Sequence, residues 1–570
     1  MRRGAALLGL VCLGAAAQPP ATTILDLQPW RQSSVLTVEA APPAEGEAEG
    51  ERDRATLIDL NPAIGAWYVL QLQGKGGSRS YHLENPQPLA QTLRLVPQGL
   101  QLAAGGHEFL CALWPAGAAA PLDQARRSGL PYAPLCDGRL FLRNVVAGTY
   151  TPLERVTGFL RDHVWGGEQI ISFVRDEVYR DAFLEKAAPG APQTAAGRAT
   201  DDTLPPPARL AEGQGAVLGP VDLGLDLGPA VQGLDAGQWY PVHDAPGIYL
   251  SAVLPRAVDP PVAERFRGRV SSLDSVEAEA LDYLVAFDLK QFDLGFALGT
   301  DHPRLGWSER SLEEMRKPDL PGPDGIGNAS PLARTGMVSP ALTELVAAAF
   351  TGGFKREHGA FHYGDLATRN RGSHYGFIEQ GTLFSTLQPG LATVYVLDDG
   401  SVGMKTWTRQ DDGLLPHIRH ARQNGVPLVD FDPGSATPEP GALVTQWGPG
   451  NWSGSKDEAF RTLRAGVCLV ETRTRSFLVY GYFSSATPRA MARVFLGYGC
   501  SYAMHMDMNA LEHTYLAVYA HKDGKMLVQH LIQGMAVVDR KGGSNQTAPR
   551  FLGFPDDRDF FYLVRRRSSP

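Results

Sequence analysis

The sequence feature that most limits the possible folds of this chain is a predicted unit near the C-terminus, in which two strands are joined by a short helix. Residues 477–482 form an apolar and aromatic run typical of a strand. Thr487 and Pro488 are a helix-start signal, and that helix is predicted to end near Gly497. Residues 502–508 predict a second strand. Such a unit usually forms a right-handed crossover, and ligands commonly bind beyond the carboxyl ends of its strands.

The second strand alternates methionines with polar residues. Met504, Met506 and Met508 share one face because successive side chains on a strand point to opposite sides, and that face is predicted to be core. The opposite face carries polar groups that could bind a metal, bind a sugar or exchange protons with a bound sugar. The alternative is a hydrogen-bonded structural cluster. The polar set is His505, Asp507 and Asn509, with Glu512 and His513 directly after the strand.

A glycine pair predicts a second part of the site. Thr351, Gly352 and Gly353 form a tight turn whose backbone N–H groups can approach an anion closely. Lys355 and Arg356 add positive charge directly after this turn. A phosphate-bearing ligand would explain these basic residues, and the alternative is a solvated loop.

The surroundings of the glycine turn predict a helix before it and no metal site after it. Ser339 and Pro340 predict the start of a helix that runs through Val346. His358 and His362 have a spacing that suits a metal on a helix, but the glycines on either side favour a loop. We therefore predict neither a metal nor a cofactor.

Composition divides the chain into regions. Residues 186–237 are dominated by Ala, Pro and Gly without an aromatic residue, which predicts a flexible linker. The region before it, 21–185, has strand-like runs at 66–72 and 93–102 and is predicted to be a mainly β domain that ends in helices. The region after it, 238–570, alternates extended runs with short capped helices and is predicted to be α+β or α/β.

The helices that end the first region are predicted from one local signal. Thr151 and Glu154 have the spacing of a capping box, and Pro152 stands at the first helical position. Charged residues follow on these helices, as they do on most helix surfaces. No function is predicted for this region alone.

The N-terminus predicts export. Arg2 and Arg3 precede a short apolar run that ends in alanines suited to signal peptidase, so residues 1–17 are predicted to be a signal peptide. The run is too short to span a bilayer comfortably. We expect a periplasmic or secreted bacterial protein without stable membrane insertion. The net charge of −8 argues against a nucleic-acid partner.

Four cysteines follow the predicted signal peptide. An even number in an oxidising compartment predicts two disulfides, with free thiols as the alternative. Pairing of nearest neighbours is the most economical of the three possible connectivities. The absence of a C-x-x-C pair argues against a zinc ribbon or a thioredoxin-type site. The four are Cys111, Cys136, Cys468 and Cys500.

The order of several motifs resembles the phosphodiester glycosidase domain, the family of the enzyme that uncovers mannose 6-phosphate by removing a covering N-acetylglucosamine. The resemblance runs from about Leu284 to the C-terminus and implies a mixed-sheet fold. Residues 346–354 are similar to the family's helix and Asn-Gly-Gly-Phe turn, and residues 422–424 with 427–429 are similar to its central Arg-Gln segment. Residues 464–467 are similar to a late strand of the family. Residues 490–507 are similar to a helix, a turn and a strand that ends in Leu-Asp-Gly-Gly-Gly-Ser.

The sequence also departs from the family pattern. Thr351 replaces the family's asparagine, and residues 508–511 replace its terminal glycine run, of which only the preceding aspartate, Asp507, is kept. Losing the glycines removes the close backbone approach that a phosphodiester would need. Asn509, Glu512 and His513 are polar residues that could take over this role.

Two functions of different classes follow from the resemblance and the residues. The first is hydrolysis of glycan phosphodiesters or related envelope glycans, with Asp507 as general acid or base, His505 as its partner and Glu512 as a third catalytic candidate. The second is a non-catalytic glycan-binding or envelope-assembly protein that retains the fold. Either way the expected ligand is a glycan or a sugar phosphate. The residues predicted to bind it are Thr351, Gly352, Gly353, Lys355, Arg356, Arg464, Asn509 and His513.

Overall fold

The structure is a computed structural model. The predicted signal peptide, Arg356, His358 and His362 lie outside the residues that it describes, as does most of the helical segment predicted after Thr151. The described residues are 21–30, 35–39, 54–74, 77–114, 121–151, 154–155, 181–190, 204–259, 270, 273–308, 311–355, 361, 364–369, 375–432, 434, 437–444, 460–522, 524–541 and 547–566.

The described elements of the first region include two antiparallel sheets and a short helix. Its elements are β1 (Val35–Glu39), β2 (Arg54–Asp59), β3 (Trp67–Gly74), β4 (Gly77–Glu84), β5 (Gln91–Val96), β6 (Gly99–Ala104), β7 (His107–Ala112), α1 (Pro121–Arg127), β8 (Tyr132–Leu135) and β9 (Leu140–Arg143). The sheet orders are β1-β2-β3-β4-β9-β8 and β5-β6-β7. β3 confirms the strand predicted at 66–72. The run at 93–102 is instead the hairpin β5-β6, because Pro97 cannot donate to a sheet and lies in the turn.

The segment predicted as a flexible linker is folded over the part that the structure describes. Its strands are β10 (Ala188–Pro189), β11 (Val217–Gly219) and β12 (Leu234–Asp235). They form a small antiparallel sheet, and Leu218, Leu225 and Leu234 are buried in the main hydrophobic core. Composition did not predict this folded structure, because isolated leucines between Ala, Pro and Gly residues can be buried without forming an apolar run.

The C-terminal region consists mainly of antiparallel sheets. Its first elements are β13 (Tyr240–Pro241), β14 (Ile248–Val253), β15 (Asp282–Asp288), β16 (Phe292–Ala297), β17 (Val346–Thr351), α2 (Gly364–Arg369), β18 (Phe377–Glu379), β19 (Thr382–Ser385), β20 (Ala392–Leu397), β21 (Val402–Thr406), β22 (Ile418–Gln423), β23 (Pro427–Asp432) and β24 (Thr437–Pro440). The remaining ones are β25 (Thr462–Glu471), β26 (Ser476–Ala486), α3 (Pro488–Gly497), β27 (Tyr502–Met508), β28 (Leu516–Lys522), β29 (Lys525–His530), β30 (Arg540–Lys541), β31 (Thr547–Ala548) and β32 (Phe560–Arg565).

Three sheets of this region position the candidate site. Their orders are β13-β14-β15-β26-β25-β27-β23-β24, β16-β32-β17-β28-β29 and β19-β18-β22-β20-β21. The pairs of neighbouring strands in these sheets are antiparallel within the described residues. A chain of antiparallel sheets with few helices belongs to the α+β class, one of the two predicted alternatives.

The predicted strand, helix and strand near the C-terminus are confirmed as β26, α3 and β27. The Thr487 hydroxyl accepts a hydrogen bond from Ala490 N, which caps the helix, and the helix ends at Gly497. β25 lies between β26 and β27 and is antiparallel to both. β26 and β27 therefore run parallel, and their carboxyl ends at Ala486 and Met508 lie at one edge of the sheet.

The helix predicted from Ser339 through Val346 is wrong. Only Thr343–Leu345 is helical, as one 3-10 turn, and Val346–Thr351 is the strand β17. Every side chain of β17 is buried, and the strand has β28 on one side and β32 on the other. Burial between two partners outweighs the helix propensity of an alanine-rich run.

One hydrophobic core joins the two regions that were predicted as separate domains. Ile58 and Trp67 of the first region belong to the same buried cluster as Leu250, Phe350 and Met504 of the second. The shared cluster means that each region buries part of its apolar surface against the other.

Two disulfides staple the fold. Cys111 is bonded to Cys136 and Cys468 to Cys500, so the nearest-neighbour pairing is confirmed. Disulfides of this kind fit a protein that folds in an oxidising compartment outside the cytosol. Within the described part of the chain, no helix has both the length and the hydrophobicity needed to cross a bilayer.

Candidate functional site

Polar residues from three sheets meet at the end of β27. Asp507 is the penultimate residue of this strand, and β17 leads directly into Gly352 and Gly353. Gln423 ends β22, and a charged run, 556–559, leads into β32. β17 pairs with β32, which sets the glycine turn beside the charged run. Asp507 contacts Arg558 and Gly352 contacts Asp559, so both reach this charged run.

The glycine turn is packed tightly against an aspartate and an asparagine. Gly352 N donates to the Asp559 carbonyl oxygen at 2.8 Å, and Phe354 N donates to Asn424 Oδ1 at 2.9 Å. A Cβ at Gly352 would lie 2.2 Å from Asp559 Oδ2, and one at Gly353 would lie 2.5 Å from Asn424 Oδ1. These positions admit only glycine. The Gly352 N–H, predicted to face an anionic ligand, is instead engaged by the protein backbone.

We expect Gly352→Ala to lower the free energy of unfolding by about 1–3 kcal/mol, the usual cost of overpacking. The added methyl group would displace the Asp559 carboxylate, which accepts a hydrogen bond from Arg422 Nε at 2.8 Å. Urea unfolding of the two proteins measures the difference. Gly413→Ala is the control, because a Cβ there meets nothing within 4 Å. Equal stability of the two variants would contradict this account of the turn.

Arg558 joins Asp507 to a residue of the first region. Its Nη1 donates to Asp507 Oδ2 and its Nε donates to Glu154 Oε1, both at 2.6 Å, and all three residues are buried. Burial opposes ionisation of Glu154, yet Arg558 and His513 hold the pKa of this carboxyl well below its usual value. Glu154 is therefore an anion throughout the physiological pH range.

The capping box predicted at Thr151 positions Glu154. Thr151 N donates to Glu154 Oε2 at 3.0 Å, and Glu154 N donates to Thr151 Oγ1 at 3.1 Å. These reciprocal hydrogen bonds confirm the capping box. They leave Oε1 of Glu154 directed at Arg558, so a local signal in the first region builds part of a site in the second.

His513 lies at the outer side of this cluster. Its side chain is 23% exposed, and Nε2 lies 3.6 Å from Glu154 Oε1. Nδ1 lies 2.9 Å from the Met508 carbonyl oxygen, which can only accept, so we assign a proton to Nδ1. Nε2 is a buried atom that faces the Glu154 carboxylate. Thr351 Oγ1 donates to the His513 carbonyl at 2.6 Å, which ties this residue to the glycine turn.

His505 and Arg464 form a buried pair away from the ligand-facing positions predicted for them. Both side chains are fully buried, with 3.1 Å between His505 Nε2 and Arg464 Nη1. The His505 ring stacks on Phe354, and Arg464 also donates to the carbonyl oxygens of Ala486 and Phe460. Burial and the Arg464 charge lower the pKa of His505 well below its usual value. This geometry is that of a structural pair.

A bulge explains why His505 and Asp507 have different partners. In the pairing of β27 with β25, His505 lies opposite Gly466 and Met508 lies opposite Arg464. Between these two pairs, β27 therefore contains one residue more than β25. An extra residue breaks the alternation of faces and redirects the side chains beyond it. Asp507 therefore turns to Arg558, whereas a regular strand would have placed it beside His505 on one face.

Asn509 and Glu512 follow the end of β27, and their described contacts are with Thr462 and Arg550. Asn509 adopts a φ of 79°, a conformation in which asparagine is one of the few tolerated residues other than glycine. Its Oδ1 accepts a hydrogen bond from Thr462 Oγ1 at 3.1 Å. Glu512 is partly buried, and its carbonyl oxygen accepts from Arg550 Nη1 at 2.7 Å.

Lys355 supplies a cation beside the glycine turn. It is partly buried and close enough to Asp557 for its charge to favour the ionised carboxylate. Burial nevertheless raises the pKa of Asp557 above its usual value, against the opposing charges of Arg558 and Lys355. Asp557 is itself paired with His302, whose Nε2 lies 3.3 Å from Asp557 Oδ2. Asp557 is thus a further buried carboxylate beside Arg558 and Lys355.

The charged run at 556–559 was not predicted as part of the site. Asp556 accepts from Arg550 through both carboxylate oxygens, at 2.7 and 3.0 Å, and Asp559 accepts from Arg422 at 2.8 Å. A signal was present, because four consecutive charged residues directly before an apolar strand are unusual in a buried segment. Among the described residues, no group of three or more His, Cys, Asp or Glu side chains is arranged to hold a metal ion.

Comparison with known proteins gives no family. No protein-family model matches the sequence, and neither does any curated protein. A solved structure from Burkholderia pseudomallei K96243, provisionally described as an exported protein, is 12% identical, covers 50% of this chain and 74% of its own, and has a TM-score of 0.20. A hypothetical protein from Synechocystis is 11% identical, covers 91% of this chain and 98% of its own, and has a TM-score of 0.21. TM-scores this low do not establish a shared fold.

Proposed function

We propose that this protein is an exported hydrolase of glycan phosphodiesters or related envelope glycans, with Asp507 and His513 as its proton-transfer residues. The observation that carries the proposal is the chain of contacts from Asp507 through Arg558 and Glu154 to His513, beside the glycine turn. It gathers a carboxylate, an imidazole and cations at the carboxyl end of a strand. The family resemblance around Asp507 supports the choice of substrate class.

The contacts suggest a division of roles in acid–base catalysis. Asp507 is the acceptor in its hydrogen bonds from Arg558 and from Met508 N, which fits a base that activates water. His513 Nε2 lies 3.6 Å from Glu154 Oε1, and we assign His513 the role of the acid that protonates the leaving oxygen. Lys355 would contact the phosphate group. Arg558 is a positioning residue, because it fixes both carboxylates.

The proposal is tested by incubating the purified protein with a synthetic sugar-1-phosphodiester and, separately, with the matching phosphate-free glycoside. Phosphorus NMR follows conversion of the diester to a monoester, and isothermal titration measures binding of the same compounds. We expect monoester to accumulate only with the enzyme present. Binding of the diester without conversion would contradict the hydrolase proposal.

A second candidate is a non-catalytic glycan-binding or envelope-assembly protein that uses the same site. It is favoured by the arginine pairing, since Arg422, Arg550 and Arg558 each have a carboxylate partner within the protein. Such internal pairing is also what a structural network requires. Binding of either compound in the titration, with no product by NMR, would support this candidate.

A further inference from the structure

A cavity of about 100 Å³ lies between the first region and the C-terminal sheets. Glu84 and Arg143, from β4 and β9, form one wall. Glu379, Gln380 and Arg419, from the β18-β19 hairpin and from β22, form the opposite wall. The residues proposed for catalysis are not among those that line this cavity. It is therefore a separate candidate for ligand binding.

Three side chains that line the cavity have buried polar atoms without a hydrogen-bond partner among the described residues. The atoms are Nε and Nη2 of Arg419, Oε1 of Gln380 and Oγ of Ser339. Buried polar groups in proteins are nearly always hydrogen-bonded, and four of the exceptions among the described residues belong to side chains that line this one space. An occupant that accepts from Arg419 and donates to Gln380 would satisfy them together.

The atoms of Arg419 define what this occupant must carry. Nε and Nη2 are the two parallel donors on one side of a guanidinium, the fork that matches the two oxygens of a carboxylate. Ser339 Oγ can donate to the same anion. Gln380 Oε1 can only accept, so it requires a hydroxyl or amine hydrogen on the ligand. The complementary ligand therefore has a carboxylate and a nearby donor.

The backbone of Gln380 is strained in a way that fits a functional position. Gln380 and Gly381 form the two-residue turn between β18 and β19, with φ values of 47° and 76°. Asparagine followed by glycine is the preferred sequence for such a turn, because both residues need a positive φ. Glutamine is sterically disfavoured at a positive φ, and backbone strain of this kind is common at ligand-binding sites.

The other charged groups that line the cavity are paired with one another, so an anionic ligand would contact Arg419. Arg143 Nη1 lies 2.6 Å from Glu84 Oε2, and its Nη2 lies 3.5 Å from Glu379 Oε1. Burial raises the pKa of Glu379 to about 7, against the opposing charge of Arg143. With Tyr132 neutral, the lining carries a net positive charge when Glu379 is protonated. A monoanion suits this balance better than a dianion.

We infer that this cavity binds a small organic hydroxycarboxylate, with its carboxylate on the Arg419 fork and Ser339 and its hydroxyl donating to Gln380. The size agrees, since a water molecule occupies about 30 Å³ of liquid and the cavity admits a ligand of about the size of lactate or glycerate. The site shares no residue with the proposed catalytic cluster, so the inference does not depend on the proposed function.

Isothermal titration of the full-length protein with lactate, glycerate, acetate and inorganic phosphate tests the inference. We expect lactate or glycerate to bind more tightly than acetate, because acetate lacks the hydroxyl. Arg419→Gln should weaken binding by about tenfold or more, the effect of losing a charge-assisted pair. Gln380→Ala should remove the preference for the hydroxyl. Thermal unfolding of each variant verifies that it is folded.

Arg409→Gln is the matched control, since Arg409 is exposed and precedes the same strand without lining the cavity. It should bind lactate as the wild type does, and so should Asp507→Asn. Three results would overturn the inference: no binding of any hydroxycarboxylate, binding of phosphate alone, or unchanged affinity in folded Arg419→Gln. The first of these would indicate that solvent alone satisfies the polar atoms.

Discussion

Arg143→Met is expected to lower the free energy of unfolding by about 3–5 kcal/mol, the range found when one partner of a buried ion pair is removed. Arg143 is buried and faces Glu84 at 2.6 Å and Glu379 at 3.5 Å. Methionine keeps most of the volume, so the loss reports on charge. The two carboxylates would remain in a low-dielectric site without their cation, and each must then become protonated or hydrated.

The matched control is Arg79→Met. Arg79 Nη1 lies 2.7 Å from Asp123 Oδ2, but its side chain is 53% exposed, so water screens the pair and the expected loss is below about 1 kcal/mol. Urea unfolding at neutral pH measures both variants. Adding Glu84→Gln and Glu379→Gln to Arg143→Met should recover part of the loss. Equal effects of the two arginine substitutions would contradict the account of Arg143.

The position of Arg143 gives this prediction a consequence for domain organisation. It comes from the first region, whereas Glu379 and the carbonyl of Ala333, 3.4 Å from Arg143 Nη2, come from the second. The two regions therefore share an ion-pair network as well as a hydrophobic core. We expect them to unfold together, in contrast to the separate domains predicted from composition.

Local signals in the sequence predicted local structure well. The strand β27, the Thr487 cap of α3 and the Thr151 capping box were all predicted, because each depends on neighbours within a few positions. The disulfide pairing was predicted for a related reason, as short loops cost the least entropy to close. Elements of this kind can be read from one sequence.

Contacts between distant segments could not be predicted in this way. Glu154 and Arg558 are 404 positions apart, and no local pattern indicates that they meet. The strand β17, which begins where the predicted helix ends, was not predicted because its two partner strands are far away in sequence. The bulge in β27 depends on the register with β25, so alternation alone placed His505 beside Asp507.

Asp507→Asn is expected to reduce the rate of diester hydrolysis by about 10²- to 10⁴-fold, the usual contribution of a general acid or base. Asparagine has the same shape but cannot take a proton from water. Arg558 keeps its hydrogen bond to Glu154, so the fold of the site should survive. The rate is measured by phosphorus NMR under substrate saturation, with thermal unfolding and substrate titration on the same sample.

The matched control is Asp398→Asn, because Asp398 pairs with His417 at 2.7 Å on the surface and has no contact with the cluster. It should hydrolyse the diester at the wild-type rate. If folded Asp507→Asn binds and hydrolyses the diester as the wild type does, Asp507 is not the base. Loss of binding together with loss of turnover would instead give Asp507 a role in holding substrate, because a pure proton-transfer residue changes the rate and leaves affinity intact.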